Sequence, residues 1–371
     1  MKAVGYRTAG ALDRADALID FAAPRPNATG RDLLVRIRAV SVNPVDCKIR
    51  TRRPPEGDAP AVLGWDAVGE VVETGEGVTN FSAGDVVWYA GAINRPGTNA
   101  EYHLVDERIV GRKPASVSDA AAAALPLTTL TAHEMLFSRL RVTDPVPGAA
   151  PAVVIIGGAG GVGSVAIQLL RAKTDLTVIA TASREETKAW VADLGAHHVI
   201  DHSQPLTPQI EALGLGQPGH VFSTTHTDQY LAQIAEFIAP QGRFGLIDDP
   251  ETLNIAAFKP KSVSTHWEFM YTRSLFQTAD MAAQSDILNE VAALIDAGKI
   301  RSTATETLGR INAANLLRAH GILETNKARG RVLGKPCCGA GLFLVRPGCL
   351  SRGPSSPQPP CPYRSAARYD R

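Results

Sequence analysis

Two groups of residues in this chain have types and spacings that could do chemistry. The first is Gly158-Ala-Gly160-Gly-Val-Gly163, a G-x-G-x-x-G inside a run of five glycines in seven residues, Gly157 to Gly163. Glycines at this spacing suit a pyrophosphate: Gly158 would permit a tight turn, Gly160 would let backbone N–H groups come close, and Gly163 would let a helix pack on a sheet. The N–H groups of Gly161 and Val162 would then open that helix and face the anion unpaired. The second group lies about 20 residues further on, where chains that select NAD place an Asp or Glu for the ribose hydroxyls. Here the stretch reads Val178-Ile-Ala-Thr-Ala182-Ser183-Arg184, with no carboxylate before Arg184. Ala182 leaves room, Ser183 can donate a hydrogen bond, and Arg184, assisted by Lys188, can pair with a 2′-phosphate. NADPH is therefore the expected cofactor. The bland alternative makes Arg184 a solvated residue at a helix start, beside Glu185 and Glu186.

Such a turn means little without a strand before it and a helix after it. Val153–Ile156 is an apolar, β-branched run, and Val165, Ala166, Leu169 and Leu170 follow at helical spacing. From Leu127 onward the alternation continues. Strands are expected at Leu176–Thr181, His198–Ile200, His220–Ser223 and Gly242–Ile247; helices at Thr131–Leu140, Val162–Lys173, Glu185–Leu194 and Gln229–Ile238. This pattern predicts an α/β fold with a doubly wound parallel sheet. Residues 1 to 125 differ. Leu34–Val40, Ala67–Val72 and Asp85–Tyr89 read as strands between turn signals such as Asn43-Pro44, which suggests a small β-rich barrel or sandwich. Asp119–Leu125 reads as a helix capped by Ser118. Further on, a helix at Ser285–Ala297, a strand at Arg301–Leu308, a helix at Ile311–Glu324 and a strand from Gly330 are expected.

Apolar residues make up 44% of the 371 and charged ones 20%, an ordinary balance for a globular protein of two domains. Lys and Arg number 38 against 37 Asp and Glu, so charge gives no case for a nucleic-acid or anionic-membrane partner. No run approaches the ~18 apolar residues of a membrane span, and the N-terminus lacks a signal-peptide core; the expected location is cytoplasmic. Of five cysteines only Cys47 precedes residue 336, which argues against a disulfide framework. The stretch 336–371 holds seven prolines and four cysteines without a period, and is expected to be a disordered tail.

Several stretches together resemble the medium-chain dehydrogenase/reductase superfamily, and within it the zinc-independent quinone oxidoreductase branch, which includes proteins labelled zinc-type alcohol dehydrogenase-like. They are Ser41-Val-Asn-Pro-Val-Asp46, Leu63-Gly-Trp-Asp-Ala-Val-Gly-Glu70, Ala83-Gly-Asp-Val-Val87, Ala124-Leu-Pro-Leu-Thr-Thr-Leu-Thr-Ala132, the glycine turn, Leu194-Gly-Ala196 and Val199-Ile-Asp201. The resemblance implies a GroES-like catalytic domain from residues 1–125, rejoined by 301–335, and a Rossmann dinucleotide-binding domain at 126–300. It also implies an active site in the cleft between them, and a homodimer paired through the Rossmann sheet edge.

Zinc-dependent relatives of that superfamily carry Cys-Gly-x-Asp and then Gly-His-Glu at the matching places. This chain has Asn43-Pro-Val-Asp46 and Gly64-Trp-Asp66 instead. Asparagine is a poor zinc ligand and indole has no free lone pair, so no metal is expected. His103 and His133 read as structural, and Cys47 as a packed or partly exposed free thiol. Without a metal to stabilise an alkoxide, the favoured substrates are quinones or α,β-unsaturated carbonyls, whose reduction spreads charge by itself.

The matched motifs nominate cleft residues. Asn43 could bond a substrate carbonyl or the nicotinamide ribose, or merely stabilise a turn before Pro44. Asp46 and Lys48 could orient or protonate, or form a surface ion pair. Trp65 and Tyr89 could line a pocket or pack a core. Thr131 matches a family position that touches the cofactor. Ser223, Thr224 and Thr225, then Leu246 and Ile247, follow strand ends, where open sheets bind ligands; His202 could approach the 2′-phosphate. His266, Trp267, Phe269 and Met270 could close over a substrate or form a dimer contact. Two rival functions remain open: a zinc-dependent alcohol dehydrogenase, and a non-catalytic NADPH-binding or RNA-binding protein.

Overall fold

The computed structural model describes residues 1–325 and 331–335, so the expectation for 336–371 lies outside the described residues. The chain opens with β1 (Lys2–Tyr6), β2 (Ile19–Ala22), β3 (Asp32–Val42), α1 (Pro44–Arg52), β4 (Ala61–Val62), β5 (Asp66–Thr74), β6 (Val86–Tyr89), β7 (Tyr102–Asp106), β8 (Val110–Arg112) and α2 (Asp119–Ala123). After α3 (Pro126–His133) come β9 (Ala150–Ile156), α4 (Gly161–Lys173), β10 (Thr177–Thr181), α5 (Glu185–Asp193), β11 (His198–Ile200), α6 (Leu206–Ala212), β12 (Pro218–Ser223), α7 (Thr227–Phe237), β13 (Arg243–Leu246) and β14 (Ser264–Trp267). The rest is α8 (Thr272–Phe276), α9 (Ala283–Asp296), β15 (Ala304–Arg310), α10 (Ala313–Glu324) and β16 (Arg331–Lys335).

Among the described residues, six strands form a parallel sheet in the order β11-β10-β9-β12-β13-β14. β9 shows why it must be covered on both sides. Val153 and Ile155 pack into the cluster with Val165 and Leu169 of α4, while Ala152, Val154 and Ile156 pack with Ile210 of α6 and Ile234 of α7. Each fully buried branched side chain contributes on the order of 1.5–3 kcal/mol, so a strand apolar at every position is stable only in such a sandwiched sheet. The strand order reverses beside β9, which opens a crevice at the carboxyl ends of β9 and β12.

The second large sheet has the order β15-β16-β3-β5-β6-β8, with β7 also on β3. β16 runs antiparallel to β3, from Val332 opposite Val42 to Gly334 opposite Val40, so the segment after the parallel sheet returns to the sheet that holds β3. Its interior packs Leu33, Val35, Ile37, Val71, Val87 and Tyr89. A further cluster runs unbroken from Val4, Trp65 and Trp88 to Val165 and Leu288, and so spans both sheets.

Three local expectations need correction. Asn43-Pro44 is a helix start rather than a turn: Asn43 N donates to Asp46 Oδ2 at 2.7 Å and α1 follows, with Pro44 in its first turn. The helix expected at Thr131–Leu140 begins earlier, at Pro126, and widens into a π-helical turn at Glu134–Arg139. His266 and Trp267 belong to β14, the edge strand of the parallel sheet, where sparse apolar residues hid the strand.

Candidate active site

The glycine turn joins β9 to α4 as the spacing requires, but the labour is divided differently. The positive φ of the tight turn, 79°, falls on Gly157 rather than Gly158. At Gly158 an added Cβ would lie 2.9 Å from the Ala180 methyl, so this glycine lets β10 approach. At Gly163 it would lie 2.5 Å from the Gly157 carbonyl oxygen, so here the helix sits against the turn. Gly160 is the open one, with only the Gly157 oxygen near, at 3.4 Å. α4 begins at Gly161, leaving first-turn N–H groups of Gly161 and Val162 at the carboxyl end of the sheet.

Thr181, expected only as the end of a strand, braces this turn. Its Oγ1 accepts from Gly157 N at 3.0 Å and lies 3.0 Å from His202 Nδ1. Thr181 thus ties the His202 ring to the turn. Burial lowers the His202 pKa, so the imidazole stays neutral. Beside it, Arg184 pairs with Glu186 at 2.9 Å, and Lys188 with Asp201 at 3.0 Å and Glu185 at 3.1 Å. Hydrogen bonds from Ser203, then the Lys188 ammonium, hold Asp201 down at about 2. A 2′-phosphate would therefore compete with carboxylates for both cations. These pairs are partly exposed and of low worth, so the exchange is cheap. Ser183 immediately precedes this group and is half-buried.

Beyond β12, Ser223 is fully buried and its Oγ lies 2.7 Å from Thr227 Oγ1. Asp248 receives Thr227 N at 2.9 Å and its hydroxyl at 2.5 Å. Ser223 thus organises the start of α7 rather than reaching a ligand. Thr224 donates to the Ile156 carbonyl at 2.8 Å and so ties the end of β12 to the end of β9; Thr225 bonds the neighbouring His226 at 2.7 Å. Leu246 is buried in the sheet, while Ile247 is half-buried just past it.

The opposite wall comes from the other sheet. Asn43, Asp46, Trp65 and Asp66 are all essentially buried. Asn43 Nδ2 donates to Asp66 Oδ2 at 2.9 Å, and Asp66 Oδ1 accepts from Leu127 N at 2.7 Å. Asp66 therefore anchors the positive end of α3. Asn43 Oδ1 is buried and without a protein hydrogen bond. Trp65 Nε1 donates to the Ala92 carbonyl at 3.0 Å, and its ring meets Tyr271 edge-on at 6.1 Å. Thr131 is buried, with its hydroxyl bonded back to Leu127 O at 2.8 Å. Lys48 crosses to the parallel-sheet side, where its Nζ meets Asp249 Oδ2 at 2.6 Å.

Tyr89 belongs elsewhere. It lies in the interior of the second sheet, with its hydroxyl 3.0 Å from His103 Nδ1 and its ring stacked on that imidazole. His133 contacts Lys173 and Glu290, and Cys47 is a buried free thiol 3.5 Å from His320. Burial raises the Cys47 pKa, so it is no thiolate ligand. Among the described residues, no three His, Cys, Asp or Glu side chains converge to hold a metal ion. The donors at the positions where a zinc would sit are already engaged: the Asn43 amide nitrogen and both Asp66 oxygens with one another and α3, the Trp65 N–H with Ala92. This set does not fit zinc. Asp248 and Asp249 were missed in the sequence; the available signal was their place just after a parallel strand.

The model for the alcohol dehydrogenase GroES-like domain matches residues 29–115, and that for the zinc-binding dehydrogenases matches 161–285. A zinc-type alcohol dehydrogenase-like protein of Staphylococcus aureus is 38% identical over 337 residues, 90% of this chain and 99% of that protein. The crystal structure of a Rhizobium etli protein classed as a zinc-dependent alcohol dehydrogenase superposes with a TM-score of 0.88 at 57% identity, covering 90% of this chain and 97% of that one. The structure of the quinone oxidoreductase from Coxiella burnetii gives 0.70 at 26% identity, covering 90% and 98%.

Proposed function

The chain belongs to the medium-chain dehydrogenase/reductase superfamily of oxidoreductases, and on that premise we propose that it reduces quinones or α,β-unsaturated carbonyls with NADPH and without a metal. The observation that carries this reading is the chemistry of the donor set. An alcohol substrate would need its alkoxide stabilised, and Asn43, Trp65 and Asp66 offer no ligand set for the ion that would do so: both Asp66 oxygens and the Trp65 N–H are engaged, which leaves only the neutral Asn43 amide oxygen. A conjugated acceptor takes hydride at carbon and passes charge to its own oxygen, so the protein has only to orient the reactants and exclude water.

On this reading residues 1–125 and 301–335 form the catalytic domain and 126–300 the dinucleotide-binding domain. Gly160, Gly161 and Val162 hold the pyrophosphate. Arg184 is the first partner of the 2′-phosphate, with Lys188 and His202 behind it and Ser183 at the ribose. Ile247 flanks the nicotinamide. Asn43 is narrowed to one of its two expected roles. Its nitrogen serves Asp66, so the remaining oxygen accepts, which suits a ribose hydroxyl and not a carbonyl. The Coxiella burnetii relative, a quinone oxidoreductase by name, supports the substrate class. Exposed Trp267 at the end of edge strand β14, Phe269 just past it and Phe276 in α8 support a homodimer through that edge.

Transfer of deuterium from specifically labelled NADPH tests the reading. With an alkenal as acceptor, label on the β-carbon of the saturated product is expected, as is consumption of NADPH by benzoquinone. Oxidation of simple alcohols with no transfer to either acceptor would overturn it.

A further inference from the structure

Lys48 and Asp249 are contributed by opposite walls of the cleft, and each is set on a rigid base. On one side α1 is locked by buried Arg50, whose guanidinium bonds Gly10 O at 2.6 Å and pairs with Glu324 of α10. On the other, Asp248 is pinned to the start of α7 through Thr227, so its neighbour Asp249 is carried at a fixed place beyond β13. Between these bases stands one exposed ion pair, with side chains 41% and 58% accessible. The boundary elsewhere is of another kind. Between β8 and α9, Arg112 N donates to Asn289 Oδ1 at 2.8 Å and Ser285 Oγ to Val110 O at 2.6 Å, and next to them Ser116 N donates to Asp296 Oδ1 at 2.8 Å. There several hydrogen bonds, each with a backbone group on one side, join the same two segments. At Lys48 and Asp249 the contact is a single solvated ion pair, the weaker kind of tie.

We propose that Lys48 and Asp249 form a clasp that closes the cleft over the bound dinucleotide, with Asp249 a positioning residue that acts through Lys48. The inference deepens the reading of the site given above and rests on it. An exposed pair of this kind biases an open–closed equilibrium by about two- to five-fold, enough to slow release of a cofactor without trapping it. Because it is solvated, the bias fades as salt screens it.

The test compares wild type, Lys48→Met, Asp249→Asn and the exchanged pair Lys48→Asp/Asp249→Lys. NADPH dissociation is followed by stopped-flow fluorescence at low and high salt. Both single variants are expected to release NADPH about two- to five-fold faster at low salt, with the difference gone at high salt, and the exchanged pair is expected to return toward wild type. Singles that match wild type at low salt, or an exchanged pair no better than the singles, would overturn the clasp. If Lys48 served only as a proton donor, Asp249→Asn would leave release unchanged and the exchanged pair would rescue nothing. Small-angle scattering of the cofactor-free proteins reads the same closure without nucleotide. A wild type that binds no dinucleotide, yet is more compact than either single variant, would leave the clasp standing and bring down the reading of the site.

Discussion

At Gly163 and Gly160 the same substitution has opposite meanings. Gly163→Ala places a methyl 2.5 Å from the Gly157 oxygen, so backbone must move. The expected outcome is a loss of roughly 1–3 kcal/mol in thermal or denaturant unfolding, together with lost NADPH binding. Gly160→Ala has only one neighbour at 3.4 Å and should keep the melting temperature, yet bind NADPH at least about ten-fold more weakly, because the methyl enters the space left for the pyrophosphate. Isothermal titration beside calorimetry separates the two. At the adenine end, Arg184→Ala should raise the KM for NADPH by about 10- to 100-fold with little change for NADH, the worth of a charge-assisted bond. Glu186→Gln removes the carboxylate that pairs with Arg184 at 2.9 Å and should sharpen the preference for NADPH a few-fold. A Glu186→Gln enzyme that drifts toward NADH would show that Arg184 does not read the phosphate. The glycine turn and the arginine were legible in the sequence because each is a local spacing. Which glycine carries the positive φ was not, since that depends on Thr224 packing over Gly157. The bracing by Thr181 depends likewise on a strand two elements away.

The π-helical turn and the segment from β14 to α9 enclose an ionic cluster that no local pattern announces. Glu268, at the end of β14, has a fully buried side chain bonded to Arg139 at 2.7 Å; Glu134 pairs with Arg273 at 2.7 Å and accepts from Gln284 at 3.0 Å; Asp280 meets Arg273 at 3.0 Å. Burial first, and the nearby Glu134 second, push Glu268 up to about 8. At neutral pH it therefore holds a proton that it would lose in the unfolded chain. This stability is fully present below the ordinary carboxylate pKa and is lost as pH rises toward 8, at about 1.4 kcal/mol per pH unit at most. Urea unfolding across that window should show the decline in the wild type and a flatter profile in Glu268→Gln. Equal slopes would mean that Glu268 is ionised at neutral pH. The sequence showed these charges only as members of a helix and an aromatic stretch. Their partners come from elements more than a hundred residues apart, which periodicity does not reveal.

Over the whole molecule, the alternation of strands and helices foretold the parallel sheet, and the early run of short strands foretold the second one. What the sequence left open was how the two meet: Asp66 reaching Leu127 of α3, and Lys48 reaching Asp249. The edge strand β14 bears Trp267, 53% exposed, and α8 bears Phe276, 73% exposed. A covered apolar edge is the ordinary reason for such exposure. Trp267→Glu with Phe276→Glu should shift the light-scattering mass from dimer to monomer; a wild type already monomeric at micromolar concentration would contradict the pairing. Metal-free hydride transfer on a dehydrogenase scaffold would be a property of the whole cleft. The most direct measurement is turnover of NADPH with benzoquinone and an alkenal after exhaustive dialysis against a chelator, with metal content determined on the same sample. Full activity is expected at a metal content far below one per chain. Activity lost on chelation and restored by zinc would contradict it.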